Sequence, residues 1–261
     1  MTTRNLDWFV TNGHTLDSDP LAGKYYFIGY DDGEVAAADK TKAVSTDALL
    51  SLVSWAPARQ GWTYASSSTV YAAGNVTAIY SKGQRVRLVQ FGATKYYYIT
   101  AVSAYDSLNN RTTLTLNGGT DYTVANATIG AVYYSNISAP GFPDWFNYSP
   151  TLTGFSSNPT DTVYRFLLTP TTCRVQWRQG TAGTSNSNQF LISTPVTAKT
   201  LTNMNWYGYA LGTDNGSSLS TPALAVVRSA ATYIQLYKDS LASGWTTSGG
   251  KSSAGFIEYE W

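Results

Sequence analysis

Hydrophobic and polar residues alternate with a period of two along most of this chain, the spacing of half-buried β-strands rather than of helices. Arg85-Val86-Arg87-Leu88-Val89-Gln90-Phe91 alternates in this way, breaks at Gly92-Ala93-Thr94, and is followed by a second strand-like run from Lys95 to Val102. Asn109-Asn110 turns into Arg111-Thr112-Thr113-Leu114-Thr115-Leu116, which Asn117-Gly118-Gly119 closes. Short strands at hairpin spacing predict a small antiparallel β barrel or sheet over residues 56–138. A denser series follows, at Thr162 to Leu168, Thr172 to Trp177, Asn188 to Ser193, Asn205 to Ala210, Ala223 to Arg228, Thr232 to Tyr237 and Gly255 to Tyr259. Turn chemistry such as Asp214-Asn215-Gly216 and Ser248-Gly249-Gly250 separates these runs, which predict a jelly-roll-like β-sandwich over 161–261. Glu258-Tyr259-Glu260-Trp261 keeps the alternation to the end, so the C-terminus is expected inside the sheet.

Two segments depart from this pattern. Four of the nine prolines fall between Pro140 and Pro159, and proline fixes φ and removes a ladder donor, so residues 139–160 read as a stiff connector pinned by its aromatics. Residues 1–55 read as an arm with little core of its own. Within it, Tyr25-Tyr26-Phe27-Ile28-Gly29-Tyr30 predicts a strand running into the Asp31-Asp32-Gly33-Glu34 turn, and Ala48 to Val53 fits either helical turns or a strand. The fold class expected is all-β.

Composition sharpens the picture. Only 13% of residues are charged and the formal net charge is +1, so there is no basic excess to neutralise phosphates and no nucleic-acid partner is expected. Serine, threonine and 20 tyrosines replace the missing charge, which favours pleated surfaces over helices. No run approaches the roughly 20 apolar residues of a membrane span, and no apolar signal core follows the first residues, so neither membrane insertion nor secretion by its own signal is expected.

Candidate chemistry is sparse. His14, the only histidine, sits beside an Asn12-Gly13 turn, and Cys173, the only cysteine, lies within a β pattern as a small apolar residue would. Asp31-Asp32-Gly33-Glu34 is first a turn, and Glu258 with Glu260 flanks Tyr259 on a terminal strand. No catalytic residue, cofactor site or metal site is assigned. The aromatics are more informative. In Tyr96-Tyr97-Tyr98 the middle ring must face away from its neighbours, and Trp206-Tyr207-Gly208-Tyr209 poses the same problem. Tyr97, Trp206, Tyr207 and Tyr209 are therefore the candidate ligand or interface aromatics.

Several of these stretches also form a recognisable set. Trp62-Thr63-Tyr64-Ala65, Gly83-Gln84-Arg85-Val86-Arg87-Leu88-Val89-Gln90, Lys95-Tyr96-Tyr97-Tyr98, Thr112 to Leu116, Val132-Tyr133-Tyr134-Ser135 and Gly141-Phe142-Pro143-Asp144-Trp145-Phe146 resemble a recurrent module of tailed-bacteriophage virion proteins. Gly183 to Asn186, Asp214-Asn215-Gly216, Ser229 to Ile234 and Trp245 to Gly249 are similar to the β-sandwich that follows it. The resemblance implies a non-enzymatic virion protein, assembled in the host cytoplasm as a homotrimer. Its arm would anchor to other tail or capsid proteins, and its sandwich would meet neighbouring subunits or a host-surface glycan or protein. Tail adhesin, receptor-binding protein, head fibre and capsid decoration are all compatible with it. A carbohydrate-binding module or weak glycan hydrolase is the alternative of another class, because exposed Trp and Tyr stack on sugar rings.

Overall fold

The computed structural model describes residues 55–261 and, upstream, the backbone of two paired antiparallel strands, Tyr26–Tyr30 (β1) and Thr41–Ser45 (β2). The expectations for His14, Asp31 to Glu34 and Ala48 to Val53 lie outside the described residues. The fold is all-β, with two larger antiparallel sheets, one of them curled into a half-barrel.

The first sheet consists of Ala56–Pro57 (β3), Trp62–Ser66 (β4), Thr69–Ala73 (β5), Arg85–Gln90 (β6), Ala93–Val102 (β7), Arg111–Asn117 (β8) and Val132–Ser135 (β9), in the order β3-β9-β6-β7-β8-β5-β4. Alternation does the sorting. Val86 and Leu88 of β6 and Leu114 and Leu116 of β8 point into one core, which Trp62, Val70 and Tyr80 complete. Gln90 shares that inward phase, and its amide donates to the carbonyls of Ala125 and Ala127, so burying it leaves no unmet donor.

The second sheet is built from Phe146–Asn147 (β10), Leu152–Thr153 (β11), Phe155–Ser157 (β12), Thr160–Leu168 (β13), Thr172–Thr181 (β14), Gly183–Ser185 (β15), Leu191–Ser193 (β16), Asn205–Asp214 (β17), Ser217–Ser218 (β18), Ala223–Arg228 (β19), Tyr233–Tyr237 (β20) and Gly250–Glu260 (β21). Its main path runs β10-β13-β14-β21-β17-β19-β20-β16-β11. Inner-face residues from one end of that path to the other, among them Phe166, Val175, Ile257, Val227, Ile234 and Ile192, share a single core.

The proline-rich segment 139–160 carries the rings that join the sheets, and from Phe146 onward it contributes the short strands β10, β11 and β12 to the second sheet rather than only connecting the two. Tyr98 faces away from the first sheet's core, yet it is fully buried because Phe142 and Phe146 cover it, at ring distances of 5.0 and 5.3 Å. Phe146 in turn stacks on Phe166 of the second sheet at 5.9 Å. Trp55 Nε1 donates to the Pro140 carbonyl, and Lys82 sits 3.8 Å over the ring of Trp261, whose own Nε1 donates to Thr169 O. The last residue is thus part of the joint.

Gly83 marks one of the tight approaches in this joint. Its φ is +85°, and a Cβ there would lie 2.3 Å from Pro170 Cα, a backbone atom that has no rotamer to escape into. Gly83→Ala is therefore expected to cost about 2 kcal/mol in denaturant unfolding. A loss below about 0.5 kcal/mol would show that the Thr169–Pro170 turn yields freely.

Candidate interaction surface

Strands β14, β21, β17, β19 and β20 lie side by side, and their outer face is where large apolar side chains meet solvent. Register builds this face one row at a time. Gln176 pairs with Phe256, Tyr209 with Leu224, and Leu224 with Tyr237. Ala210 pairs with Gly255, which places Tyr209 beside Phe256 at the next step of the same ladder. One row thus runs Gln176, Phe256, Tyr209, Leu224, Tyr237 across five strands. Tyr207 and Leu211 flank Tyr209 along β17 on the same face, because they lie two residues either side of it. Tyr207, Tyr209 and Phe256 are 61%, 64% and 61% exposed, and Leu211 is 75% exposed.

The opposite face of β17 explains why its large rings point outward. There β17 and β21 approach closely, and a Cβ on Gly255 would lie 2.7 Å from Ala210 Cβ, while one on Gly208 would lie 2.6 Å from Phe256 O. Small residues are required on the inner side of this seam. Around Gly208, Ala210 and Gly255 the bulk of β17 is accommodated on the outer side, whereas further along the strand Trp206 finds room on the inner side.

The charged groups around the patch are already engaged. Arg174 bridges Glu258 at 2.7 Å, and Arg178 bridges Asp161 at 3.1 Å. Arg165 Nε donates to Gln176, and Arg228 donates to Gln235 and to the Tyr237 hydroxyl. The result is an apolar centre whose rim is partly neutralised, since Arg174 and Arg178 are ion-paired while Arg165 and Arg228 are held only by neutral groups and keep their charge, the anatomy of a protein contact surface. Beside Leu211 lies an open cleft of about 340 Å³ lined mostly by polar residues, with Gln179, Thr213, Ser252 and Ser253 beside Leu211 and Leu219.

Tyr207 and Tyr209 belong to this surface, whereas the other two aromatics singled out from the sequence do not. Trp206 turns to the inner side and packs against Tyr259 at 6.4 Å. Tyr97 is 1% exposed within the first sheet's core, so it offers no accessible ring, and burial raises its pKa. Alternation put Tyr97 opposite Tyr96 and Tyr98 correctly, but the side turned away from the small core proved to be theirs, and the connector covers it. Phe256 and Leu211 were missed. Their signal was present in Ala254-Gly255-Phe256-Ile257 and Tyr209-Ala210-Leu211, where apolar residues occupy both strand faces.

The titratable candidates are tied down individually. Glu258 is held by Arg174 and Glu260 by Lys199 at 2.8 Å. Cys173 is fully buried, and burial pushes its thiol up to about 12, which leaves almost no thiolate for nucleophilic work at neutral pH. Among the described residues no three His, Cys, Asp or Glu side chains gather as a metal site would require. A second open cleft, of about 410 Å³ between 147–152 and 158–164, has tyrosines as its only titratable groups. Comparison of the chain with protein-family models, with curated proteins and with solved structures finds no match.

Proposed function

We propose that this chain is a non-enzymatic structural protein of a bacteriophage virion. Its N-terminal part anchors it to the tail or capsid, and its larger sheet is presented for contact with neighbouring subunits or with the host surface, in a homotrimeric tail adhesin or fibre or a head fibre. The single observation that carries the contact role is the outer strip of Tyr207, Tyr209, Leu211 and Phe256. Contiguous apolar patches of several hundred Å² mark interaction sites on soluble proteins, since leaving them in water forfeits hydrophobic stabilisation. The resemblance of these stretches to tailed-phage virion modules supports the particle as the setting.

The test is whether purified particles of the encoding phage contain the chain, and where antibody against it labels them. Co-purification with labelling at the tail tip or on the head surface is the expected result. Absence of the chain from intact particles would overturn the reading.

A further inference from the structure

We infer that the outer face of β14, β21, β17, β19 and β20 binds an acidic polysaccharide, with sugar rings stacked on Tyr207, Tyr209 and Phe256 and a uronic acid carboxylate seated on Arg228. The inference rests on the contact role above and names what meets the face. Charge complementarity points to the acid. Of the four arginines around the face, Arg174 and Arg178 are ion-paired, whereas Arg165 and Arg228 have only neutral partners and keep their charge. Arg228 is exposed, and its guanidinium donates to Gln235 and, at 2.8 Å, to the Tyr237 hydroxyl. Two of its five donors are thereby used to hold the planar fork, and the remaining three suit bidentate capture of a carboxylate. The titratable side chains that act on its charge are the phenols of Tyr237, Tyr233 and Tyr207.

Register brings this charge beside the rings. Asn205 pairs with Arg228 across β17 and β19, so Tyr207 is a diagonal neighbour of Arg228 on the same face, roughly 7–8 Å away along the backbone lattice. Asn205 also donates its side-chain amide to the Tyr207 hydroxyl, which steadies that ring. A sugar ring seated on Tyr207 thus has its substituents within reach of the Arg228 fork, and a uronic acid carries its carboxylate directly on the ring. Phosphodiester-linked polymers hold their anion between units, away from the stacked ring. Tyr207, Tyr209 and Phe256 stand on an open sheet face, with hydroxyls and amides among them, so they offer flat apolar area to the C–H face of a pyranose and polar partners to its edge. Arg165 lies on β13, four strand spacings from β19 or roughly 19 Å across the sheet, so only a chain of sugars reaches both unpaired cations.

The experiment is isothermal titration of the full chain with oligogalacturonate and with oligoalginate, against dextran and polyglutamate for comparison. The expected result is saturable binding of at least one uronate oligomer, weakening as salt is added, with no binding of dextran. Arg228→Gln and Tyr209→Ala are each expected to weaken it about tenfold or more, and Arg228→Lys, which keeps the charge without the fork, to restore only part of the Arg228→Gln loss. Leu108→Ser, on a loop of the first sheet where Leu108 is 91% exposed, is expected to change nothing. Unchanged near-ultraviolet circular dichroism shows that the variants keep their fold, since both side chains point away from the core. Silence with both uronate oligomers, or binding indifferent to Arg228→Gln and Tyr209→Ala, overturns the proposal. Dextran bound as tightly overturns it in favour of a neutral sugar platform, and polyglutamate bound as tightly overturns it in favour of an acidic protein. A chain that binds no uronate yet enters particles leaves the virion reading standing, and a uronate-binding chain absent from particles does the reverse, so the two failures are separable.

Discussion

Replacing Phe146 with alanine is expected to cost about 3–5 kcal/mol of stability, the range for emptying an aromatic site in a packed core. Phe146 is fully buried, and it touches rings from both sheets: Tyr98 and Tyr122 on one side, Phe166 on the other, with Phe142 beside it. Its backbone pairs with Phe166 through the short strand β10, so the chain there has little freedom to collapse into the cavity. The loss therefore includes both the burial of the ring and the contacts its neighbours made with it. Because this ring couples the two sheets, denaturant unfolding followed by near- and far-ultraviolet circular dichroism is expected to coincide in the wild type and to separate in the variant. A cost under about 1 kcal/mol with coincident transitions would show that the sheets are held together elsewhere, through Gly83 and the Lys82–Trp261 contact.

Stability is also expected to rise as pH increases from about 8 towards 10, opposite to the usual behaviour of a protein stabilised by ion pairs. The cause is Lys251 on β21. It is fully buried, its ammonium donates to the carbonyls of Ser187 and Gln189, and it lies 4.8 Å over the ring of Phe155. Burial lowers its pKa from 10.5 to about 8, with Asp214 opposing the shift. Between those values the unfolded chain keeps a proton that the folded chain has released, so raising pH favours the fold by up to about 1.4 kcal/mol per pH unit and about 3 kcal/mol in total.

Above about pH 10 the trend reverses. Burial raises the pKa values of Tyr80, Tyr97, Tyr148 and Tyr259, so these groups ionise first in the unfolded chain and draw the equilibrium towards it. Urea unfolding across this range gives the measurement, and Lys251→Met the control. The methionine variant is expected to lack the rise, although it leaves two loop carbonyls without their donor. A rise of equal size in that variant would remove Lys251 as its source.

The position of Lys251 could not be anticipated from its neighbours in sequence. Ser248-Gly249-Gly250 reads as a turn, and a lysine just after a turn is ordinarily solvated. It is buried because the 187–189 loop, more than 60 residues earlier, folds across it. Strand extents show a milder version of the same effect. Alternation predicted Gly255 to Tyr259 and Thr172 to Trp177, whereas the strands run Gly250–Glu260 and Thr172–Thr181. Ser252, Ser253, Gly180 and Thr181 carry no apolar rhythm, but neighbouring strands complete their ladder hydrogen bonds and draw them into the sheet.

The aromatics divide along the same line. That Tyr97 faces opposite Tyr96 and Tyr98, and that Tyr207 and Tyr209 share a face from which Trp206 is excluded, follows from the period of two and needs no further information. Which of those faces is covered is a property of the whole chain. Tyr98 is hidden because Phe142 and Phe146 return to it from more than 40 residues away, while Tyr209 remains open because no described segment crosses β17 on that side. The all-β class was thus legible in the chain, because a strand's alternation is a local consequence of its pleat. The buried lysine, the joint at Phe146 and the open face around Phe256 were decided only by tertiary structure, because burial depends on what distant residues bring to the other side.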